Sequence, residues 1–200
     1  MNAIRTVMVV CSSALMILAI VLVVQFLQMR GAGIEDEMLF TGSWMWYEPL
    51  NIHLAIGVDG ISVFMILLSA VIVFAGTFAS WKIDPLPKNF FLWFALLSMG
   101  VFGFFISIDM FTMFMFYEIA LIPMYLLIGV WGTGRKEYSA MKLTLMLMGG
   151  SALLMLGLFG IYWHSATDPS QLTWNILEIS HNNAISHGWQ TFLFPFTFVG

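Results

Sequence analysis

Apolar positions in this chain come in long uninterrupted blocks, with polar residues gathered between them. Five stretches run without a charge or nearly so: residues 7–27, 61–79, 90–108, 110–131 and 143–163. Each has about the 20 residues a helix needs to cross a hydrocarbon core of ~30 Å. Asp59 and Lys82 bracket the second of them. After the polar stretch 164–190 a sixth apolar run starts at Thr191 and reaches Gly200, roughly half the length of a span. The expected architecture is all-α: a multi-pass transmembrane helix bundle of five complete spans plus the start of a sixth, forming the N-terminal part of a longer protein. Arg5 followed by "VMVVCSSALMILAIVLVV" also resembles the first two regions of a signal peptide. The apolar run is long and no A-x-A pattern precedes Gln25, so an uncleaved span is expected.

Composition agrees with that pattern. The 200 residues are 60% hydrophobic and 9% charged, against about 25% charged in an ordinary soluble domain. A net charge of −4 spread this thinly, with no basic stripe, excludes a nucleic-acid partner. Cys11 lies inside the first apolar run, where a buried small hydrophobe is the expected role. Charge also gives orientation, because Lys and Arg beside spans stay on the cytoplasmic side. Arg5, Lys82, Lys88, Arg135, Lys136 and Lys142 fall on one side, and Arg30 on the other. The N-terminus is therefore expected in the cytoplasm, with the acidic segment 35–37 and the 164–190 loop outside. Trp44, Trp46, Trp81, Trp131 and Trp163 fall at expected borders, where an amphipathic ring suits the headgroup region.

The candidate chemistry is sparse. There is no cysteine cluster, no C-x-x-C-H and no H-E-x-x-H, and neither "GTGRKE" nor "GAGIED" completes a dinucleotide-binding fingerprint. His53, His164, His181 and His187 are dispersed over outer loops and borders, a spacing that does not make a metal site. No redox cofactor and no metal are expected in this chain. "MFMFYEIALIPMYLL" is different, because it puts Glu118 in mid-span. At ~1.5 Å per residue Glu118 lies about 12 Å from the outer end of its helix and about 20 Å from the inner end. A charge at such depth costs roughly 2.5–3.5 kcal/mol on insertion scales, and such residues face the bundle interior and pair.

The residues sharing its face are Phe111, Phe114, Met115, Leu121, Ile122 and Tyr125, so any partner comes from another helix. Burial disfavours the charged form of a carboxylate and a nearby lysine favours it, which makes Glu118 a workable proton switch. Packing as a protonated, hydrogen-bonded group is the alternative. Pro123 frees the carbonyl of Ile119 and can kink the helix beside it. Asp109, in the tight turn "SIDM", fits a helix N-cap, with a proton-entry role at the outer surface as the second reading. Lys142 enters the next helix from the inner side and lies about 15 Å in depth from Glu118, so the two are not expected to form a salt bridge. Gly150, Gly157 and Gly160 suit close helix packing, and the methionines suit flexible core packing.

Three blocks resemble a known family: "NIHLAIGVDGISVFMILLSAVIVFAGTFASWK", "SIDMFTMFMFYEIALIPMYLLIGVWG" and "RKEYSAMKLTLMLMGGSALLMLG". They are similar to the N-terminal part of the antiporter-like proton-translocating subunits of the M type, counterparts of mitochondrial subunit 4, in respiratory complex I, NADH:quinone oxidoreductase. The resemblance implies a membrane-arm subunit that carries protons while quinone is reduced elsewhere. NADH, FMN, iron–sulfur clusters and quinone are then expected in partner subunits, and the neighbours are other membrane-arm subunits, including related antiporter-like ones, and the lipid bilayer. It implies residues 1–105 as N-terminal transmembrane helices and 106–200 as the first part of the antiporter-like module. It also implies Glu118 as a central proton-pathway residue paired with a lysine on a later broken helix, with Lys142 on the same polar axis. The membrane would be the bacterial cytoplasmic membrane or an organellar inner membrane. The family usually has two helices before the "DG" block, where this chain shows one. An Mrp-type Na⁺/H⁺ antiporter subunit and a non-transporting membrane scaffold are the alternatives.

Overall fold

A computed structural model describes residues 2–33, 36–84, 86–166, 172–182 and 185–200. Five long helices carry the apolar blocks: α1 (Asn2–Gly31), α2 (Gly60–Ala79), α3 (Pro87–Ile106), α4 (Met110–Trp131) and α5 (Lys136–Trp163). All five are long and apolar enough to cross a membrane. A short helix α6 (Ile176–Asn182) and a helix α7 (His187–Val199) follow. The protein is a multi-pass helix bundle with five spans, followed by the 13-residue apolar helix α7. The helices run past the limits of the apolar blocks because polar residues at interfacial turns extend the same hydrogen-bonded ladder: α5 starts at Lys136 and α7 at His187. At α3 the first turn holds Pro87, whose missing N–H has no partner to lose there.

The bundle carries a β-hairpin that the block pattern did not show. Between α1 and α2, β1 (Leu39–Tyr47) pairs antiparallel with β2 (Ile52–Val58) through a 3₁₀ turn at Glu48–Leu50, with Asn51 in the left-handed region at φ 51°. Its signal was the proline-containing turn at Glu48–Leu50, masked by an apolar composition that suits either element. Trp44 and Trp46, expected at a span border, lie exposed on β1. Glu35 of the acidic segment lies outside the described residues.

Antiparallel succession of the helices gathers the hairpin, the α3–α4 turn and the 172–182 segment at one end of the bundle. There Ile108 N–H donates to the Ala55 carbonyl at 2.9 Å and Met110 N–H to the Trp174 carbonyl at 3.0 Å. Trp174, 1% exposed, stacks on Tyr162 with centroids 4.2 Å apart. Both aromatics donate to the Leu50 carbonyl in the hairpin turn, at 3.1 Å from Trp174 Nε1 and 3.2 Å from the Tyr162 hydroxyl. Backbone groups of three separate segments are thus paired with one another at this end of the bundle.

Two apolar clusters hold the bundle. One joins Ala19 and Phe26 of α1 to Val63, Ile66 and Ala70 of α2 and to Leu39 and Val58 of the hairpin. The other joins Met110 and Phe114 of α4 to Leu158 and Tyr162 of α5 and to Ile52 and Trp174. The small-residue stripe of α5 does pack closely, and its occupant is α7. A Cβ on Gly157 would sit 2.6 Å from Thr197 Cγ2, and one on Gly160 would overlap the Leu193 side chain. Cys11 departs from expectation: it is exposed on the flank of α1, since the buried stripe of that helix passes through Ser12 and Ala19 instead.

Candidate proton-handling site

Helix α4 is fixed from both sides and at its N-terminal end, and each constraint bears on Glu118. On the α3 side, Gly100 and Gly103 let the helices close together. A Cβ on Gly100 would lie 2.9 Å from Ala120 Cβ and 3.0 Å from the Phe116 carbonyl, and one on Gly103 would enter the Phe116 ring. Phe116 and Ala120 therefore mark the face of α4 toward α3. Glu118, two residues from each, is ~200° away around the helix and points the other way.

The opposite face meets α5. A Cβ on Gly129 would rest 3.7 Å from Ala140, while at the other end Met110 and Phe114 pack with Leu158 and Tyr162. Between those anchors the register follows from helix geometry. Eleven residues before Gly129 in α4 is Glu118, and eleven after Ala140 in the antiparallel α5 is Ser151, about 16 Å in each case and within ~20° of the same face. Ser151 is 6% exposed and belongs to the buried stripe of α5 with Ala140, Leu158 and Tyr162. Its hydroxyl donates to the Met148 carbonyl at 3.2 Å. The register thus sets a buried hydroxyl at the depth of the carboxylate. Sequence reading had passed over Ser151, whose signal was its eleven-residue spacing from Ala140 and Tyr162, visible only once the partner helix was known.

Glu118 Oε1 is buried and has no hydrogen-bond partner. Leaving such an oxygen unpaired is costly in a low-dielectric interior. Pro123 is buried five residues later and lies within the continuous helix α4.

Lys142 is exposed in the second turn of α5. It is nine residues from Ser151, hence about 14 Å nearer the N-terminal end of α5 and on its opposite face. The structure does not bring it to Glu118.

Asp109 is 1% exposed and caps α4, its Oδ1 accepting the Thr112 N–H at 3.0 Å. Burial raises its carboxyl above the usual range, while hydrogen bonds from Thr112, His53 and Phe111 act to lower it. Because Thr112 also donates its hydroxyl to the His53 carbonyl at 3.1 Å, the cap ties α4 to β2. Asp109 borders a polar cavity of about 110 Å³ shared with Asn51, His53, Thr173, Asn175 and Glu178. Three of the four histidines have local partners: His53 Nε2 bonds Asn51 Oδ1 at 3.0 Å, His164 Nδ1 bonds the Gly160 carbonyl at 2.8 Å, and His181 sits 3.4 Å from Glu37. Among the described residues no three His, Cys, Asp or Glu side chains are grouped to hold a metal ion.

Comparison with known proteins bears on the fold and the family. Residues 107–200 match the family model described as NADH:quinone oxidoreductase/Mrp antiporter, TM. The chain is 33% identical over 139 residues to NADH-ubiquinone oxidoreductase chain 4 of Chondrus crispus, covering 68% of this chain and 28% of the relative. It is 36% identical over 139 residues to chloroplastic NAD(P)H-quinone oxidoreductase chain 4 of Daucus carota, with the same two coverages. Among solved structures, a chain of respiratory complex I from Thermus thermophilus with bound NADH superposes with a TM-score of 0.79 at 18% identity. That match covers 97% of this chain and 38% of the other. A chain of the membrane-bound sulfane sulfur reductase, an archaeal respiratory membrane complex, superposes at 0.69 and 20% identity, covering 96% and 37%. The sequence thus spans about a quarter of the length of its curated relatives. The helical frame is shared with chains of two respiratory complexes, and the stretch from the α3–α4 turn through Glu118 to α7 is the part of the chain that is similar to the NADH:quinone oxidoreductase/Mrp antiporter transmembrane family.

Proposed function

We propose that this chain is part of a proton-translocating membrane-arm subunit of an NADH:quinone oxidoreductase, and that Glu118 is the group in it that takes up and releases the proton. The observation that carries the reading is the buried Oε1 of Glu118, unpartnered in the middle of a spanning helix. In a bundle of apolar helices an acid so placed is a functional group by default. The N-terminus is proposed to face the cytoplasm, from the clustering of Arg5, Lys82, Lys88, Arg135, Lys136 and Lys142 at one end.

The energetics suit an electrostatic switch. Moving one charge through 100 mV requires ~2.3 kcal/mol, equivalent to about a 50-fold change in proton affinity. A cation brought to ~4 Å from the carboxylate at an effective dielectric of 20 interacts by about 4 kcal/mol, enough to drive the change. Glu118 holds the proton, its α5-facing position offers the Ser151 hydroxyl at the same depth, and the packed rings of Phe114, Tyr162 and Trp174 close the outer side against leakage. The redox step that supplies the energy is assigned to partner subunits, and Lys142 to a separate, inner position on the proton route.

The test is Glu118→Gln in the assembled complex reconstituted into vesicles, scored as protons moved per NADH oxidised. The expected result is a ratio reduced several-fold with quinone reduction retained in uncoupled vesicles. A wild-type ratio would remove Glu118 from the route. The family description also covers Mrp antiporters, and a sodium-dependent proton flux that needs no NADH would move the assignment to that class.

A further inference from the structure

Three elements pack against α4, and the polar side chains they bring to it are few. On the α3 side, Gly100 and Gly103 meet Phe116 and Ala120, and Ser98 gives its hydroxyl to the Phe94 carbonyl of its own helix at 2.8 Å. Toward the hairpin, Met115, Phe116 and Ile119 face Trp44, Trp46 and Leu54 across an apolar cavity, where the Thr112 hydroxyl is spent on the His53 carbonyl. The α5 side differs, because Ser151 lies there at the depth of Glu118. The next polar pair on that seam is Tyr125 with Thr144, seven residues away on each helix and hence about 10.5 Å along it. Lys142 is exposed on the opposite face, and Lys136 donates to the Val130 carbonyl at 2.7 Å. Tyr117 is adjacent in sequence but ~100° away around α4. Helix α7, packed on Gly157 of α5, brings Thr197, whose hydroxyl is given to the Phe194 carbonyl at 3.1 Å.

The Ser151 hydroxyl is turned back on its own helix, and its bond there is long. It reaches the Met148 carbonyl at 3.2 Å, whereas Ser98 and Ser107 reach their helix carbonyls at 2.8 Å and 2.7 Å. The shorter pair matches the usual O–H···O distance of about 2.7–2.8 Å. In an α-helix such a carbonyl already accepts the N–H four residues on, so withdrawing the serine orphans nothing. Rotation about χ1 then carries the hydroxyl from one staggered position to another. A hydroxyl has one proton to donate and lone pairs with which to accept. It can therefore serve both states of a facing carboxyl. It donates to the ionised carboxylate, and it accepts from the protonated acid while its own proton goes to the Met148 carbonyl.

We propose that Ser151 is the positioning residue for the proton of Glu118, its hydroxyl alternating between the Glu118 carboxylate and the Met148 carbonyl as the proton leaves and returns. This rests on the reading of Glu118 as the proton-carrying group. It joins two observations that are separate otherwise: a buried carboxylate oxygen with no partner, and a buried hydroxyl held by a long bond. The serine keeps its own proton throughout, so the transferred proton moves on and off Glu118 alone.

The test compares Ser151→Thr with Ser151→Val in the assembled complex, two side chains of nearly the same shape that differ in the hydroxyl. The readouts are protons moved per NADH oxidised in vesicles and the infrared C=O stretch of the protonated carboxyl that Glu118→Gln removes. Threonine is expected to keep both at wild-type values. Valine should lower the ratio several-fold and move the stretch to higher frequency, as for an acid that has lost its hydrogen bond. Equal ratios and equal stretches in the two variants overturn the proposal and leave Glu118 in its role, and so does a loss in threonine as large as in valine. A wild-type ratio in Glu118→Gln, by contrast, removes the reading on which the proposal rests. Should the valine variant not assemble, wild type decides: a Glu118 stretch at the frequency of a free carboxylic acid in apolar solvent overturns the proposal, and a lowered one supports it.

Discussion

Replacing Asp109 by asparagine and by alanine separates the cap from the charge. The Asp109 carboxylate accepts the Thr112 N–H at 3.0 Å and is further held by the N–H groups of His53 and Phe111, in a setting only 1% exposed. Alanine removes the acceptor and orphans these donors. Loss of an N-cap costs about 1 kcal/mol, and a buried N–H left unpaired about 1–3 kcal/mol, so Asp109→Ala should cost about 2–4 kcal/mol. Asparagine keeps an oxygen acceptor and should cost about 1 kcal/mol or less at neutral pH. The pH dependence gives the sign. Burial lifts the carboxyl above its ordinary value of 3.8, so the folded chain binds the proton more tightly than the unfolded chain does. The associated stability is full below about pH 3.8 and is lost as pH rises through the folded value.

The penalty of Asp109→Asn should therefore be largest in acid and shrink toward neutrality. The assay is the thermal midpoint of wild type and both variants in detergent between pH 4 and pH 8. Two results would refute the reasoning: asparagine costing as much as alanine, or a penalty that grows as pH rises. If Asp109→Asn also leaves proton pumping intact, the residue is a structural cap and the proton-entry reading falls.

Two further substitutions test the frame around Glu118. Gly103→Ala drives a methyl into the Phe116 ring and should cost about 1–3 kcal/mol by overpacking. An unchanged thermal midpoint would show that α3 and α4 are not in the contact described. Trp174→Ala removes a side chain that stacks on Tyr162 and donates to Leu50, at about 3–5 kcal/mol. Amide exchange should rise first at Met110, whose N–H is bonded to the Trp174 carbonyl, and protection there at the wild-type level would contradict the clamp.

Long apolar blocks decided the five spans on their own, because a membrane leaves a backbone of that composition one hydrogen-bonded solution. The charge of Glu118 at mid-span was legible for the same reason, as was the cap at Asp109, where a turn of three residues leaves a helix N-terminus nothing else to use. The hairpin at 39–58 was not legible as such, since short apolar runs suit strand and loop alike until they find the α3–α4 turn to pair with. Nor was the face of each helix. Helix α4 is apolar nearly all round, so no periodicity says which side meets which neighbour, and only the glycines of α3 and Ala140 of α5 turn Glu118 toward Ser151. The same holds for Cys11, inside an apparently uniform apolar run of α1: its exposure depends on which stripe of that helix meets α2, a matter of tertiary packing that residue type alone does not fix.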